Sequence, residues 1–278
     1  MFNNRAYQFT IHGALLFAAA ISLKAGPLAY AVTTGEQFGA IDLSTGVFTQ
    51  IDASEGFVMA GLGVAGGNLY TEAYSTFNPT LDAINPITGA LSPVGNGGAA
   101  VELFAFGSTT SGLYALGGNT TDFTLYSINS STGVATAIGL TGLANGGAYS
   151  LSTNSSTLFF AQGANSTLYT INTSTGASAS VGPFGGGEQM GAMVFTGGTL
   201  YGNDSAPLFN SISTINTATG AATLGPSVTG TASGFSLVGL APDPLSAAAS
   251  PEPSTWLLLA CGLSGLALLR HRSRRTPS

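Results

Sequence analysis

The chain has 278 residues, and only 6% are charged: six Lys or Arg against twelve Asp or Glu, for a formal charge of −6. All six basic residues and both histidines (His12 and His271) lie before residue 32 or after residue 250; the 32–250 body holds eleven acidic residues and no Lys, Arg, His or Cys. That excludes from the body a Ser-His-Asp or Cys-His nucleophile system, a zinc site made of its preferred ligands, a Lys-dependent phosphate loop and the cation-driven binding of nucleic acid.

In chain order, Arg5 precedes the apolar run Gly13 to Leu23, and Ala29-Tyr30-Ala31 offers a small-x-small cleavage site. This is the plan of a secretory signal peptide, expected at 1–31, and it implies passage through the Sec machinery. Lys24 stands in the expected c-region of that leader.

The body from 32 to 245 is repetitive. Ile-Asp/Asn-x-x-Thr-Gly occurs five times, starting at Ile41, Ile84, Ile128, Ile171 and Ile215. A spacing of about 43–44 residues lies in the range of propeller blades. Each unit holds short apolar runs separated by Gly, Asn, Ser and Thr, which read as strands. The third unit shows all four: Leu103 to Phe106, Gly112 to Leu116, Phe123 to Ile128 and Val134 to Ile138. The Asp or Asn of the motif suits a side-chain bond to its own turn, and the Gly suits a positive φ where a hairpin closes.

The first unit begins at its second strand, near Tyr30 to Val32, and a spare first strand, Phe235 to Leu240, follows the fifth unit. If the spare strand completes the first blade, the ring closes without exposed ends. The expected fold is therefore all-β: a five-bladed β-propeller of four-stranded repeats, closed by a C-terminal strand, with an open β-solenoid or an array of repeats as the alternative. Cleavage after Ala31 would trim the strand that begins the first unit. The repeat also resembles that of quinoprotein-like propellers, but the docking Trp of those repeats is missing; Trp256, the single Trp, lies outside the body. No quinone cofactor is carried over.

In a propeller, the loops entering each blade share a face with those joining its second and third strands. Glu55, Glu102 and Glu188 fall in the first set; Asp122 and Asp204 fall in the second; Glu36 and Glu72 lie nearby. Three readings stay open. The carboxylates are solvated rim charges, or oxygen ligands for Ca²⁺, or the acid–base pair of a glycoside hydrolase. The missing Trp, His and Arg count against the third reading.

The chain closes, over 246–278, with a linker, Pro251-Glu252-Pro253, the uncharged run Trp256 to Leu269, and Arg270, Arg272, Arg274 and Arg275. The prolines hold Glu252 in an extended strip. Fourteen residues would make a helix of about 21 Å, short of the roughly 30 Å bilayer core. Trp256 suits one interface, and the Arg cluster suits the cytoplasmic side.

This order of parts resembles the PEP-CTERM sorting signal of exported Gram-negative proteins. The resemblance covers only the tail. It implies an exosortase-type protease as partner, with Pro251, Glu252 and Pro253 as the recognition element. It also implies transient anchoring in the inner membrane, then delivery to the cell surface or extracellular matrix. The expected role is a non-enzymatic envelope, exopolysaccharide or biofilm-matrix scaffold or binding protein, with matrix polysaccharide as a candidate ligand. An exported carbohydrate-active propeller enzyme is the alternative.

Overall fold

The computed structural model describes residues 26–52, 58–75, 78–95, 103–118, 122–144, 149–154, 156–186, 188–205, 210–232 and 235–244. The leader up to Ala25, the whole tail from residue 246, and Glu55 and Glu102 lie outside the described residues. Among the described residues, no helix is long and apolar enough to cross a membrane.

Each repeat folds as a four-stranded antiparallel sheet. The second blade is β4 (Val58–Ala65), β5 (Asn68–Ser75), β6 (Asn78–Ile84) and β7 (Leu91–Gly95). The third is β8 (Leu103–Thr109), β9 (Gly112–Gly118), β10 (Asp122–Ile128) and β11 (Ala135–Ala144). The fourth is β12 (Tyr149–Thr153), β13 (Leu158–Gln162), β14 (Thr167–Ile171) and β15 (Ser178–Pro183). The fifth is β16 (Met190–Thr196), β17 (Thr199–Asp204), β18 (Ser211–Ile215) and β19 (Ala222–Ser227).

The first blade draws on both ends of the body. β1 (Leu28–Thr33), β2 (Phe38–Asp42) and β3 (Phe48–Asp52) are joined by β20 (Leu237–Pro242), in the order β20-β1-β2-β3. Ala29 pairs with Pro242 and Ala31 with Leu240. The molecule is a five-bladed propeller closed by a C-terminal strand, as the repeat spacing requires. The closing strand starts at Leu237, two residues later than its sequence pattern suggests; Phe235 and Ser236 instead belong to the approach, where Thr34 N–H donates to Ser236 O at 2.9 Å. A second backbone link reinforces the closure. Thr229, after β19, accepts from Phe48 N–H at 2.8 Å and donates to Gly46 O at 2.9 Å.

The innermost strands β20, β4, β8, β12 and β16 surround the axis, each touching the next. The hydrophobic core is divided into five layers, one between each pair of neighbouring blades. The repeated Ile supplies one buried residue to each layer, at 0–6% exposure. Burial falls outward. Every residue of β13 is buried, whereas β15 in the same blade is mostly half-buried or exposed. The layer between the third and fourth blades is the most aromatic, with Phe123 edge-on to Tyr149 at 4.6 Å and to Phe160 at 5.8 Å.

The repeated hairpins satisfy their own backbone. In the fourth blade, Asn172 Oδ1 accepts from Ser174 N–H at 2.8 Å and Thr175 N–H at 3.1 Å. Gly176 N–H donates to Asn172 O at 2.8 Å, and Thr175 Oγ1 accepts from Ala177 N–H at 3.3 Å. The same contacts recur around Asn85, Asn129 and Asn216. The five motif glycines take φ between 73° and 81°, a region closed to most side chains.

The boundary expected after Ala31 falls inside β1. Ala29, Ala31 and Val32 are all within 1% of full burial, and Tyr30 stacks on Phe38 at 5.6 Å.

Candidate functional site

The ends of the strands that flank the entering loops and the second-to-third loops lie on one face, as the register requires. Asp122, the first residue of β10, pairs with Ala144 at the end of β11. Asp204 ends β17 and pairs with Met190, the first residue of β16. Glu188 lies in the loop that enters β16.

Of the described members of the expected carboxylate set, Glu188 and Asp204 come together. Asp204 Oδ1 accepts from Gln189 N–H at 3.0 Å, which places Asp204 beside the Glu188 loop. Asp122 stands two blades away. Among the described residues, no group of three or more His, Cys, Asp or Glu converges as a metal site would. Ca²⁺ takes six to eight oxygens, so Glu188 and Asp204 alone would supply a minority of its shell.

Asp204 is not a solvated rim charge: it is 0% exposed. Glu72 is 1% exposed, and its Oε2 accepts from Leu103 N–H at 2.7 Å. Since Leu103 opens β8, Glu72 ties the second blade to the third. Gln162 makes the reverse kind of link, donating from Nε2 to Ala144 O at 2.6 Å, from the fourth blade to the third. Asp82 is 3% exposed and accepts from Thr80 Oγ1 at 2.8 Å. Buried carboxylates usually meet a cation, and the body has none. Backbone and hydroxyl donors engage one oxygen of each carboxylate here, so these polar groups position loops and join blades.

Sequence reasoning missed Gln162 and Asp82 because nothing in their neighbours marks them as buried. Glu36 sits in the turn between β1 and β2 with φ 61°, an unusual backbone for a non-glycine residue.

Among the described residues, the space at the axis is narrow. Leu62, Phe106, Leu151 and Leu240, from four of the inner strands, are buried and line a cavity of about 30 Å³, joined by Phe195 from β16. That is room for a water or two. A neighbouring cavity of about 10 Å³ is lined by Gly61, Tyr149 and Gly239, among others. Drug-sized ligands occupy pockets of about 300–1,000 Å³.

No protein-family model and no curated protein matches the sequence. Among solved structures, the chain is similar to a protein of unknown function from Bacteroides thetaiotaomicron, at 14% identity and TM-score 0.51, over 72% of this chain and 58% of that one. It is also similar to a chain of a nidogen/laminin complex, at 12% identity and TM-score 0.49, over 77% of this chain and 97% of that one. A third similarity is to TolB from Acinetobacter baumannii, at 11% identity and TM-score 0.47, over 72% and 52% of the two chains. The chain thus spans little more than half of the first and third of these proteins. At such identities the likeness concerns the fold alone, and the fold is that of a propeller.

Proposed function

We propose that the chain is an exported propeller, sorted by its tail to the envelope or exopolysaccharide matrix, where it serves as a scaffold or weak binding module without catalysis. The observation that carries this reading is the order of parts after residue 250: Pro251-Glu252-Pro253, an uncharged stretch, then Arg270, Arg272, Arg274 and Arg275. The expected processing partner is an exosortase-type protease that recognises Pro251, Glu252 and Pro253.

The body supports the non-catalytic half of the reading. Its composition supplies no His, Lys, Arg or Cys for acid–base or nucleophilic work. The buried carboxylates Glu72 and Asp204 are engaged with backbone N–H groups. The eleven acidic residues of the body repel acidic polymers, so a neutral polysaccharide is the ligand class that fits best.

A double-tagged variant, with one tag in a surface loop and one after Ser278, tests the sorting. Loss of the terminal tag from the exported protein is expected, and Glu252→Ala should preserve it. Retention of both tags in the inner membrane of wild-type cells would overturn the reading in favour of a plain anchor.

A further inference from the structure

The chain upstream of β1 is already part of the fold. Pro27 O accepts from Leu43 N–H at 3.0 Å, just ahead of the β1 ladder. Gly26 lies against the first hairpin: a Cβ added there would collide with Ser44 Oγ and Asp42 Oδ1, and would stand 3.0 Å from Asp42 Cγ. Cleavage after Ala31 would remove Leu28 to Ala31, four of the six residues of β1, and this link with them. Leu23-Lys24-Ala25 offers half of another site: Ala25 is small at the position before the scissile bond, Lys24 would occupy the intervening position, and Leu23, the end of the apolar run, stands where a second small residue is usual.

A second observation points to the same place. The motif residue that caps the hairpin is Asn in four blades (Asn85, Asn129, Asn172, Asn216) and Asp only in the first, at Asp42. Capping does not require the charge, since the Asn hairpins make the same bonds to the second residue onward. Asp42 is the hairpin that Gly26 touches.

From these contacts we propose that signal peptidase hydrolyses the Ala25–Gly26 bond and that the new α-ammonium of Gly26 pairs with the Asp42 carboxylate. This rests on the export reading above. One water adds across the amide, leaving a carboxylate on Ala25 and an ammonium on Gly26. The product would carry the single positive charge of the 26–250 body, placed one bond from a Cα already against Asp42. Other titratable groups at this end of the blade are Asp243, after β20, and Tyr30, whose phenol is pushed up by burial and by Asp243; both are common to the variants compared below.

The test is the amino-terminal sequence and intact mass of the protein recovered outside the inner membrane. A start at Gly26-Pro27-Leu28 is expected. An exported protein starting at Val32, or anywhere else, would overturn the inference and leave the export reading intact. A chain that retains Met1 in the cytoplasm would overturn both.

The second arm compares the exported wild type with Asp42→Asn, which keeps the cap and removes the charge. An ammonium paired in the folded state has a raised pKa, so its contribution is present at neutral pH and lost as pH rises through that value. Melting of the wild type should fall by about 1–3 °C more than that of Asp42→Asn between neutral pH and pH near 9.5, the scale of one exposed pair. Parallel pH profiles would overturn the pairing.

Discussion

Gly176 and Gly139 stand back to back across a blade boundary. Gly176 closes the hairpin of the fourth blade, and Gly139 lies in β11, the outer strand of the third. A Cβ on Gly176 would collide with the Gly139 carbonyl oxygen and come within 3.0 Å of its Cα, and a Cβ on Gly139 would collide with the Thr175 carbonyl oxygen. The same reciprocal fit joins Gly133 to Gly95 and Gly220 to Gly182. The glycine of the repeat is therefore constrained twice, by its φ and by the neighbouring blade.

Gly176→Ala should cost about 2–4 kcal/mol, combining left-handed backbone strain with overpacking against a main chain that cannot step aside. Urea unfolding checks this. Gly66→Ala is the comparison, because Gly66 has φ 56° but nothing within 4 Å of its added Cβ; it should lose only the backbone part, about 1–2 kcal/mol.

Asn172→Ala removes the acceptor for two backbone N–H groups. These are exposed to solvent, so water replaces part of the lost bonding, and a loss of about 1 kcal/mol is expected by denaturant titration. Asn172→Asp should stay within about 0.5 kcal/mol of wild type, the usual range for a surface change that spares such features.

Asp204→Ala removes the half-buried bond that the Gln189 N–H makes and should cost about 1–3 kcal/mol, with Asp204→Asn milder because its carbonyl still accepts. Millimolar calcium should leave wild-type melting unchanged, because among the described residues Glu188 and Asp204 provide too few oxygens for the ion. A rise of several degrees, abolished in Asp204→Asn, would show a calcium site that uses this pair.

The first hairpin carries a pH dependence of its own. Hydrogen bonds from Ser44 hold the Asp42 carboxyl below its ordinary value of 3.8. A depressed carboxylate contributes stability above the unfolded pKa and loses it as pH falls through the folded one. Acid titration of stability below pH about 4 should therefore be steeper for the wild type than for Asp42→Asn.

The blade architecture was legible because one hexapeptide carries so much local instruction. Ile fills the layer between blades, Asn and Thr satisfy the turn, and Gly closes it; each demand falls on a neighbour in sequence. The closing strand was legible from its likeness to other first strands, but its start was displaced because Phe235 and Ser236 are held by the approach to blade one. The face shared by Glu188, Asp122 and Asp204 was legible from topology. Burial of Asp204 was not, since it depends on a backbone N–H from a loop that sequence cannot position. The second role of the glycines was hidden for the same reason: Gly139 and Gly176 meet only after two blades have twisted against each other.

The pairing of Ala29 with Pro242 also sets a schedule. A chain made from its amino end presents β1 early, and the strand that must cover its edge is among the last parts of the body to appear. Blade one therefore waits, unfinished, while four blades form behind it. Its ladder edge is open to any passing strand during that interval, so the time between the emergence of Tyr30 and of Leu240 is when misassembly is most costly. A slow ribosome lengthens the danger; a holding chaperone would cover the edge meanwhile.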